Sequence, residues 1–424
     1  MPASRPPGDP VTVPASNAST RSLAYLVSQY PALSMTFVVR EVRELRRLGF
    51  RIQTASINPS NRPPASLTDE EREESRQTYY VKTDGAFGAA KAHLQTLLTN
   101  PIGYCRGLAL LLHLGGLDLR QQVFGLLYFT EALMVGQWMR RGETAHLHCH
   151  LGQQAATVGL FVRTVFQHGF SITVHGPDEF YDVKGQFLAQ KIAAADFVIC
   201  ISSFAMSQLM LLSPRIHWNR FILARLGVDP LHFSRPDQKA SHDVLEILCV
   251  GRLVPAKGQH ILLAAVDRLI QQGRPLRLRL AGSGPDEKSL RAHAAQLAQP
   301  SCVLFEGAVD QDRIRTLYAA ADIFCLPSFA EGVPVVLMEA MSMEIPCVTT
   351  NITGIPELIR DGIEGLLVPP SDLNALVEAL AKLVDDAPLR RRLATSARER
   401  IIECYDLHNN VELLAACFTE RVRL

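Results

Sequence analysis

Apolar positions recur along the chain with two alternating periods. Residues 22–31, SLAYLVSQYP, form an apolar run of strand length, and from Ser34 the spacing changes. Phe37, Val38, Val42, Leu45 and Leu48 recur every three or four residues until Gly49, which predicts a helix and its end. A second strand pattern, FRIQTASIN, covers 50–58, so the chain opens strand–helix–strand. Residues 59–78 are polar and charged and predict a loop leading into a solvated helix. Residues 86–142 carry a helical, unusually apolar pattern interspersed with Lys91, Arg106, Arg120, Arg140 and Arg141. They read as packed helices of a first domain or, in the sharper reading, as a surface that meets a membrane.

Regular alternation follows. HLHCH (146–150) is a strand, 152–168 a helix, and FSITVHG a strand ending at His175. Helix GQFLAQKIAAA, strand DFVICIS and helix SSFAMSQLMLLS come next, and after FILARLGVDP the polar SRPDQKASHD predicts an inter-domain linker. The alternation restarts at EILCVGRL (246–253), with further strands at LRLRLA, CVLFEG, DIFCLP, PCVTT and GLLVPP. Two such blocks predict an α/β fold of two Rossmann-like domains, each a parallel sheet wrapped by helices. Parallel sheets bind ligands outside the carboxyl ends of their strands, so the two would face one another across a cleft. The expected division is a leader (1–20), a first domain (21–232) and a second domain (245–404). A last helix (405–424), apolar at Val411, Leu413, Leu414 and Cys417, would return to the first domain.

Composition narrows this without redirecting it. A chain of 424 residues exceeds one ordinary core. With 47% hydrophobic and 20% charged residues it is a globular composition, and a net charge of +1 gives no field that would draw nucleic acid. Nine cysteines lie scattered without CxxC spacing, several inside strand patterns (Cys200, Cys249, Cys325, Cys347), as expected of small buried residues in a reduced, cytoplasmic protein. The Pro- and Ser-rich start has no apolar h-region and reads as a disordered leader. No apolar stretch reaches the length of a clean membrane span.

Candidate chemistry concentrates in PSFAEGVPVVLMEAMSMEIPCVTT (327–350). A strand feeds a loop holding Glu331 and Gly332, and Pro334 stands where a helix begins. Free N–H groups at such a terminus suit a diphosphate. Glu339 lies on that helix, about 7–8 Å of axial rise past its start. The two carboxylates would therefore reach hydroxyls on opposite sides of the diphosphate. Glu339 also interrupts an apolar run, and a buried carboxylate needs a partner. GSGP (282–285) is a Gly-rich turn after a strand; Glu287 stands where a dinucleotide fingerprint needs its third glycine, which disfavours a dehydrogenase. His175 and Asp178 directly follow a strand, where α/β sites form, with a helix cap as the rival role for Asp178. His146, His148 and His150 fall on one face of their strand, and His150 would line the cleft rather than join a zinc site. Asp310 and Asp312 match a metal-holding DxD pattern but precede a helix, where capping explains both, so no metal is expected.

CVGRLVPAKG (249–258), LAGSGPDE (280–287), FEGAV (305–309), LYAAADIFCLPSFAEGVPVVLMEAM and GIPELIRDGIEGLLVPP (354–370) together resemble the retaining glycosyltransferase family 4 of the GT-B fold, over about 22–420. SQYPALSMTFVVREVRELRRLGF looks like members that build bacterial exopolysaccharide, although those carry an acidic residue where Met35 stands. The resemblance implies that Glu339 binds the nucleotide ribose and Glu331 the donor-sugar hydroxyls. Backbone around Gly332, Val333 and Pro334 would meet sugar and phosphates, with Gly251 and Gly282 near the nucleotide. Arg252 and Lys257 would neutralise the diphosphate leaving group, a need that chemistry imposes independently, since bond cleavage leaves charge on a phosphate oxygen. His175 would contact the transferred sugar, with Asp178, His150 and Ser34 on the acceptor side. The expected activity is transfer of a hexose from UDP- or GDP-hexose to a glycan or polyprenyl-linked acceptor, without cofactor, beside the inner membrane face. The rivals are a sugar-nucleotide epimerase, a phosphorylase and a non-catalytic sugar-binding protein.

Overall fold

The computed structural model describes residues 22–32, 35–60, 62–63, 67–235 and 244–422. The expected leader, Ser34 and most of the expected linker lie outside them. The first domain runs β1 (Ser22–Gln29), α1 (Thr36–Arg47), β2 (Arg51–Asn58), α2 (Asp69–Gln77), β3 (Tyr79–Tyr80), then three helices. These are α3 (Gly85–Thr99), α4 (Pro101–Gly115) and α5 (Leu119–Arg141). It continues β4 (His146–His150), α6 (Gln154–Phe166), β5 (Gly169–Val174), α7 (Leu188–Ala194), β6 (Phe197–Cys200), α8 (Ser203–Leu212) and β7 (Phe221–Leu223).

The second domain runs β8 (Leu245–Val250), α9 (Gln259–Gln271), β9 (Leu276–Ala281), α10 (Glu287–Ala294), β10 (Val303–Gly307) and α11 (Gln311–Ala320). Next come β11 (Ile323–Leu326), α12 (Val335–Ser342), β12 (Cys347–Thr350), α13 (Ile355–Leu358), β13 (Gly365–Val368), α14 (Leu373–Asp385) and α15 (Ala387–Cys404). A final helix, α16 (Leu407–Arg421), follows.

Every strand pairing is parallel, in the orders β3-β2-β1-β4-β5-β6-β7 and β10-β9-β8-β11-β12-β13. Each order reverses direction once, between β1 and β4 and between β8 and β11. Those are the switch points at which loops diverge and open a crevice. The first sheet is buried on both faces. Ala24, Leu26, Ala55 and Ile57 meet α5 and α6 on one side, while Leu23, Tyr25 and Val27 meet α1 and α16 on the other. α16 thus completes the first domain: Val411, Leu414 and Phe418 are buried in that core, and Val228 exchanges backbone bonds with Tyr405 and Leu407.

The single apolar pattern over 86–142 is three helices. Asn100 caps α4 through the Gly103 N–H with Pro101 behind it, and Asp118 caps α5. α4 buries Gly103, Gly107, Leu111 and Gly115, so its small residues face the protein and Ile102 and Leu112 face outward. All nine cysteines are free thiols. Among the described residues no helix is long and apolar enough to cross a membrane.

Candidate active site

The loops flanking the second sheet's switch point supply polar residues of the cleft. After β8 comes the segment from Gly251 to Gly258, and after β11 the segment from Ser328 to Pro334. Lys257 Nζ lies 2.5 Å from Glu331 Oε1, and the Ser328 hydroxyl donates to the same oxygen at 2.7 Å. Thr353 donates to the Glu331 carbonyl, which fixes the loop from the opposite side. Glu331 is buried, so its pairing with Lys257 is what makes the burial tolerable. Arg252 is exposed and has no ion-pair partner among the described residues.

Gly258 sits at φ +65°, and a Cβ there would meet the Pro327 carbonyl at 2.1 Å; the loop after β8 and the loop after β11 touch only because this residue has no side chain. Gly282, at φ +145°, lies against the Gly251 carbonyl in the same way. Gly251 differs from these two. A Cβ there would find only Lys257 methylenes, at 3.7 Å, so the position does not depend on glycine's freedom.

α12 begins one residue later than expected, with Pro334 at the cap and Val333 buried. Glu339 is buried near the middle of that helix. Its two oxygens have separate partners: Arg40 of α1 at 2.9 Å and the Tyr318 hydroxyl of α11 at 3.1 Å. Burial and the adjacent Glu339 push the Tyr318 phenol well up, so it donates. Arg40 also reaches Gln311 at 3.3 Å and stacks on the Phe233 ring at 5.1 Å. Each carboxylate oxygen keeps a second lone pair for a ligand hydroxyl.

On the opposite wall, β4 ends at His150 and β5 leads to His175. The two rings are bonded at 3.1 Å, and the His175 ring packs on Phe37 at 4.8 Å. Burial and the neighbouring His150 hold the His175 pKa well below the usual histidine value, so His175 is neutral. A Cβ on Gly332 would lie 2.0 Å from the His175 carbonyl, so the two walls are in direct contact here. His146 and His148 turn to Ser171 and Thr173 of β5. Asp178 is exposed, and the helical turn after Gly176 starts at that glycine, so Asp178 is not its cap. The adjacent Glu179 is the buried carboxylate: it accepts the N–H groups of Gly152, His175 (2.5 Å) and Gly176 (2.9 Å). Burial pushes its pKa up to about 7. Asp310 caps α11 through the Arg313 N–H at 2.8 Å, and Asp312 lies in its first turn.

Sequence reasoning passed over Arg40, Glu41, Glu179 and Tyr318. Glu41 carried a readable signal, because it falls on the apolar stripe Val38–Val42–Leu45 of α1, as Glu339 does in its own run. The partners lie in the other domain or on another element, which no periodicity reveals.

Two parallel sheets, with Lys257 and Glu331 on the loops at the second sheet's switch point and Arg40 and Glu41 on α1 of the first domain, have the two-Rossmann-domain, GT-B, arrangement of glycosyltransferases. Residues 232–400 match the family of glycosyl transferases group 1. Its relatives include WcaL, a glycosyltransferase assigned to colanic acid biosynthesis. The Salmonella typhimurium protein is 35% identical over 195 residues, which is 44% of this chain and about half (48%) of that one. The Escherichia coli protein is 27% identical over 379 residues, 85% of this chain and 89% of that one. Among solved structures, Anabaena Alr3699/HepE in complex with UDP and glucose superposes with a TM-score of 0.72 at 17% identity, covering 94% of this chain and all (100%) of that one.

Proposed function

We propose that the chain is a retaining hexosyltransferase of exopolysaccharide assembly, acting at the inner face of the cytoplasmic membrane without a metal. The carrying observation is the pair of cation–carboxylate contacts, Lys257–Glu331 and Arg40–Glu339, on loops and helices around one cleft. Glu339 anchors the ribose of a UDP- or GDP-hexose, and Glu331 holds hydroxyls of the hexose. Lys257 and Arg252 neutralise the diphosphate as the glycosidic bond breaks, which removes the need for a divalent ion. Neutral His175 takes a hydroxyl of the transferred sugar. The acceptor hydroxyl attacks from the same face as the departing phosphate, whose oxygen takes its proton. Similarity to WcaL, named for colanic acid biosynthesis, supports a glycan as acceptor.

The surface of α3–α5 supports the membrane reading. Phe87, Leu98, Ile102, Leu112, Leu117 and Leu119 are all exposed there, beside Lys91, Arg106 and Arg120. A large exposed apolar area flanked by cations fits an anionic bilayer. Incubating the protein with UDP- and GDP-hexoses and a polyprenyl-diphosphate-linked sugar tests the reading. It expects acceptor-dependent release of the nucleoside diphosphate and an axial or equatorial anomeric bond matching that of the donor. Conversion of the donor without acceptor, or an inverted product, would refute it.

A further inference from the structure

Behind His175 stands a series of buried side chains from three further elements. Tyr25 of β1 donates its hydroxyl to Glu41 Oε1 of α1 at 2.8 Å. His150 Nε2 of β4 lies 3.1 Å from that same oxygen, and His150 Nδ1 lies 3.1 Å from His175 Nε2. Tyr25 and His150 are wholly buried, and Glu41 and His175 nearly so.

The directions of these bonds follow from chemistry. The Tyr25 phenol is pushed well above its ordinary pKa by burial and by Glu41, so it keeps its proton and donates. A carboxylate oxygen offers only lone pairs, so His150 Nε2 must carry the proton it shares with Glu41. A His150 ring that carries one proton has a bare Nδ1, and a bare nitrogen can only accept, so His175 Nε2 then carries the next proton. One nitrogen is left over. His175 Nδ1 has a lone pair and no hydrogen-bond partner among the described residues.

Glu41, His148 and His150 also bring ligand atoms within 4.8 Å of one another, a spacing a metal ion could bridge. Both nitrogens of His148 are already bonded to Ser171 and Thr173, and both of His150 to Glu41 and His175. A network that served the core alone would close on itself. This one ends on an open acceptor at the residue whose carbonyl touches Gly332 of the other domain.

We infer that Glu41 and His150 are positioning residues that lock His175 in its Nε2–H tautomer. His175 thereby offers the cleft a fixed hydrogen-bond acceptor, and the ligand group it meets is one that donates, such as a sugar hydroxyl. The inference rests on the proposed role of His175 at the transferred sugar. It is tested on the full chain labelled with 15N-histidine, where long-range proton–nitrogen spectra near neutral pH read each tautomer directly. Loss of one signal set in His175→Gln and of another in His150→Gln assigns them.

The expected result is Nε2–H for both His150 and His175 in the wild type. Glu41→Met should leave His150 and His175 as tautomer mixtures, and Glu41→Gln, which keeps a carbonyl oxygen in place, should restore the wild-type pattern. With whichever nucleotide-hexose is turned over, Glu41→Met should lower kcat about tenfold, one hydrogen bond's worth, with little change in KM. Nδ1–H or doubly protonated His175 in the wild type would overturn the inference, whether or not the variants fold. So would unchanged kcat in folded Glu41→Met, the mark of a purely structural network. Failure of every nucleotide-hexose to turn over would instead sink the proposed function and leave the tautomer result standing.

Discussion

Glu331 and Glu339 each hold a cation of their own, Lys257 at 2.5 Å and Arg40 at 2.9 Å, and the difference between those cations separates their roles. Lys257 belongs to the same domain as Glu331, whereas Arg40 reaches Glu339 from the first domain. Glu339→Gln would leave the largely enclosed Arg40, whose Nη1 already lacks a partner, without its anion. A loss of roughly 3 kcal/mol of stability is expected, the cost of breaking a buried pair from one side. Calorimetric titration should show weaker UDP binding in Glu339→Gln and little change in Glu331→Gln, whose defect should appear in kcat. Glu339 was legible in the sequence because a carboxylate broke an apolar run; Arg40 was not, because an arginine at position 40 of an amphipathic helix looks like any solvated residue. His146 contributes to acid sensitivity. Burial holds its pKa down at about 4, whereas unfolded histidine titrates near 6.5. Between those values the unfolded chain takes up a proton that the folded one refuses, so stability falls as pH drops. The contribution is on the order of 3 kcal/mol, lost in full by about pH 4. His148 and His175 shift in the same direction, while Glu179, raised to about 7, opposes them by gaining stability as pH falls. Urea midpoints measured at about pH 7.5 and about pH 4.5 should therefore differ less in His146→Gln than in the wild type.

At the scale of elements, strand and helix order was readable almost throughout because parallel strands buried on both faces are continuous apolar runs, as in FVIC and IFCL. The 86–142 stretch was not divisible by that signal, since its helices are apolar on faces that point away from the core as well as toward it. The breaks are set instead by Asn100–Pro101 and Asp118, cap residues that interrupt no hydrophobic period. α4 makes the inversion measurable. A Cβ at Gly103 would lie 2.2 Å from the Val165 carbonyl, so Gly103→Ala should push α4 off α6 and cost about 1–3 kcal/mol in chemical denaturation. Leu112→Ser, at a site 62% exposed, should stay within about 0.5 kcal/mol of the wild type. A leucine that stability does not require, on a face lined with others, is the residue whose loss should weaken sedimentation with anionic liposomes.

Across the whole molecule, the two sheets follow from the sequence pattern, but their strand orders and how the domains meet do not. Contacts made at a distance set how the domains meet, these three among them. Arg40 bonds Glu339, Gly332 lies against the His175 carbonyl, and the Glu357 carboxylate of α13 accepts the Ser203 and Phe204 N–H groups at the start of α8, at 2.9 and 2.8 Å. α1 links both walls through consecutive residues, since Arg40 reaches the proposed ribose carboxylate while Glu41 holds His150 behind His175. The proposed chemistry depends most on Lys257, the cation on the loop after β8 that is proposed to neutralise the leaving group. The decisive measurement is therefore kcat/KM for hexose transfer by the wild type and by Lys257→Ala, with UDP affinity measured on the same samples. Neutralisation of a departing diphosphate predicts at least about a hundredfold loss in kcat/KM with a much smaller change in UDP affinity. Full transfer activity in Lys257→Ala, or a loss explained entirely by weaker UDP binding, would contradict it.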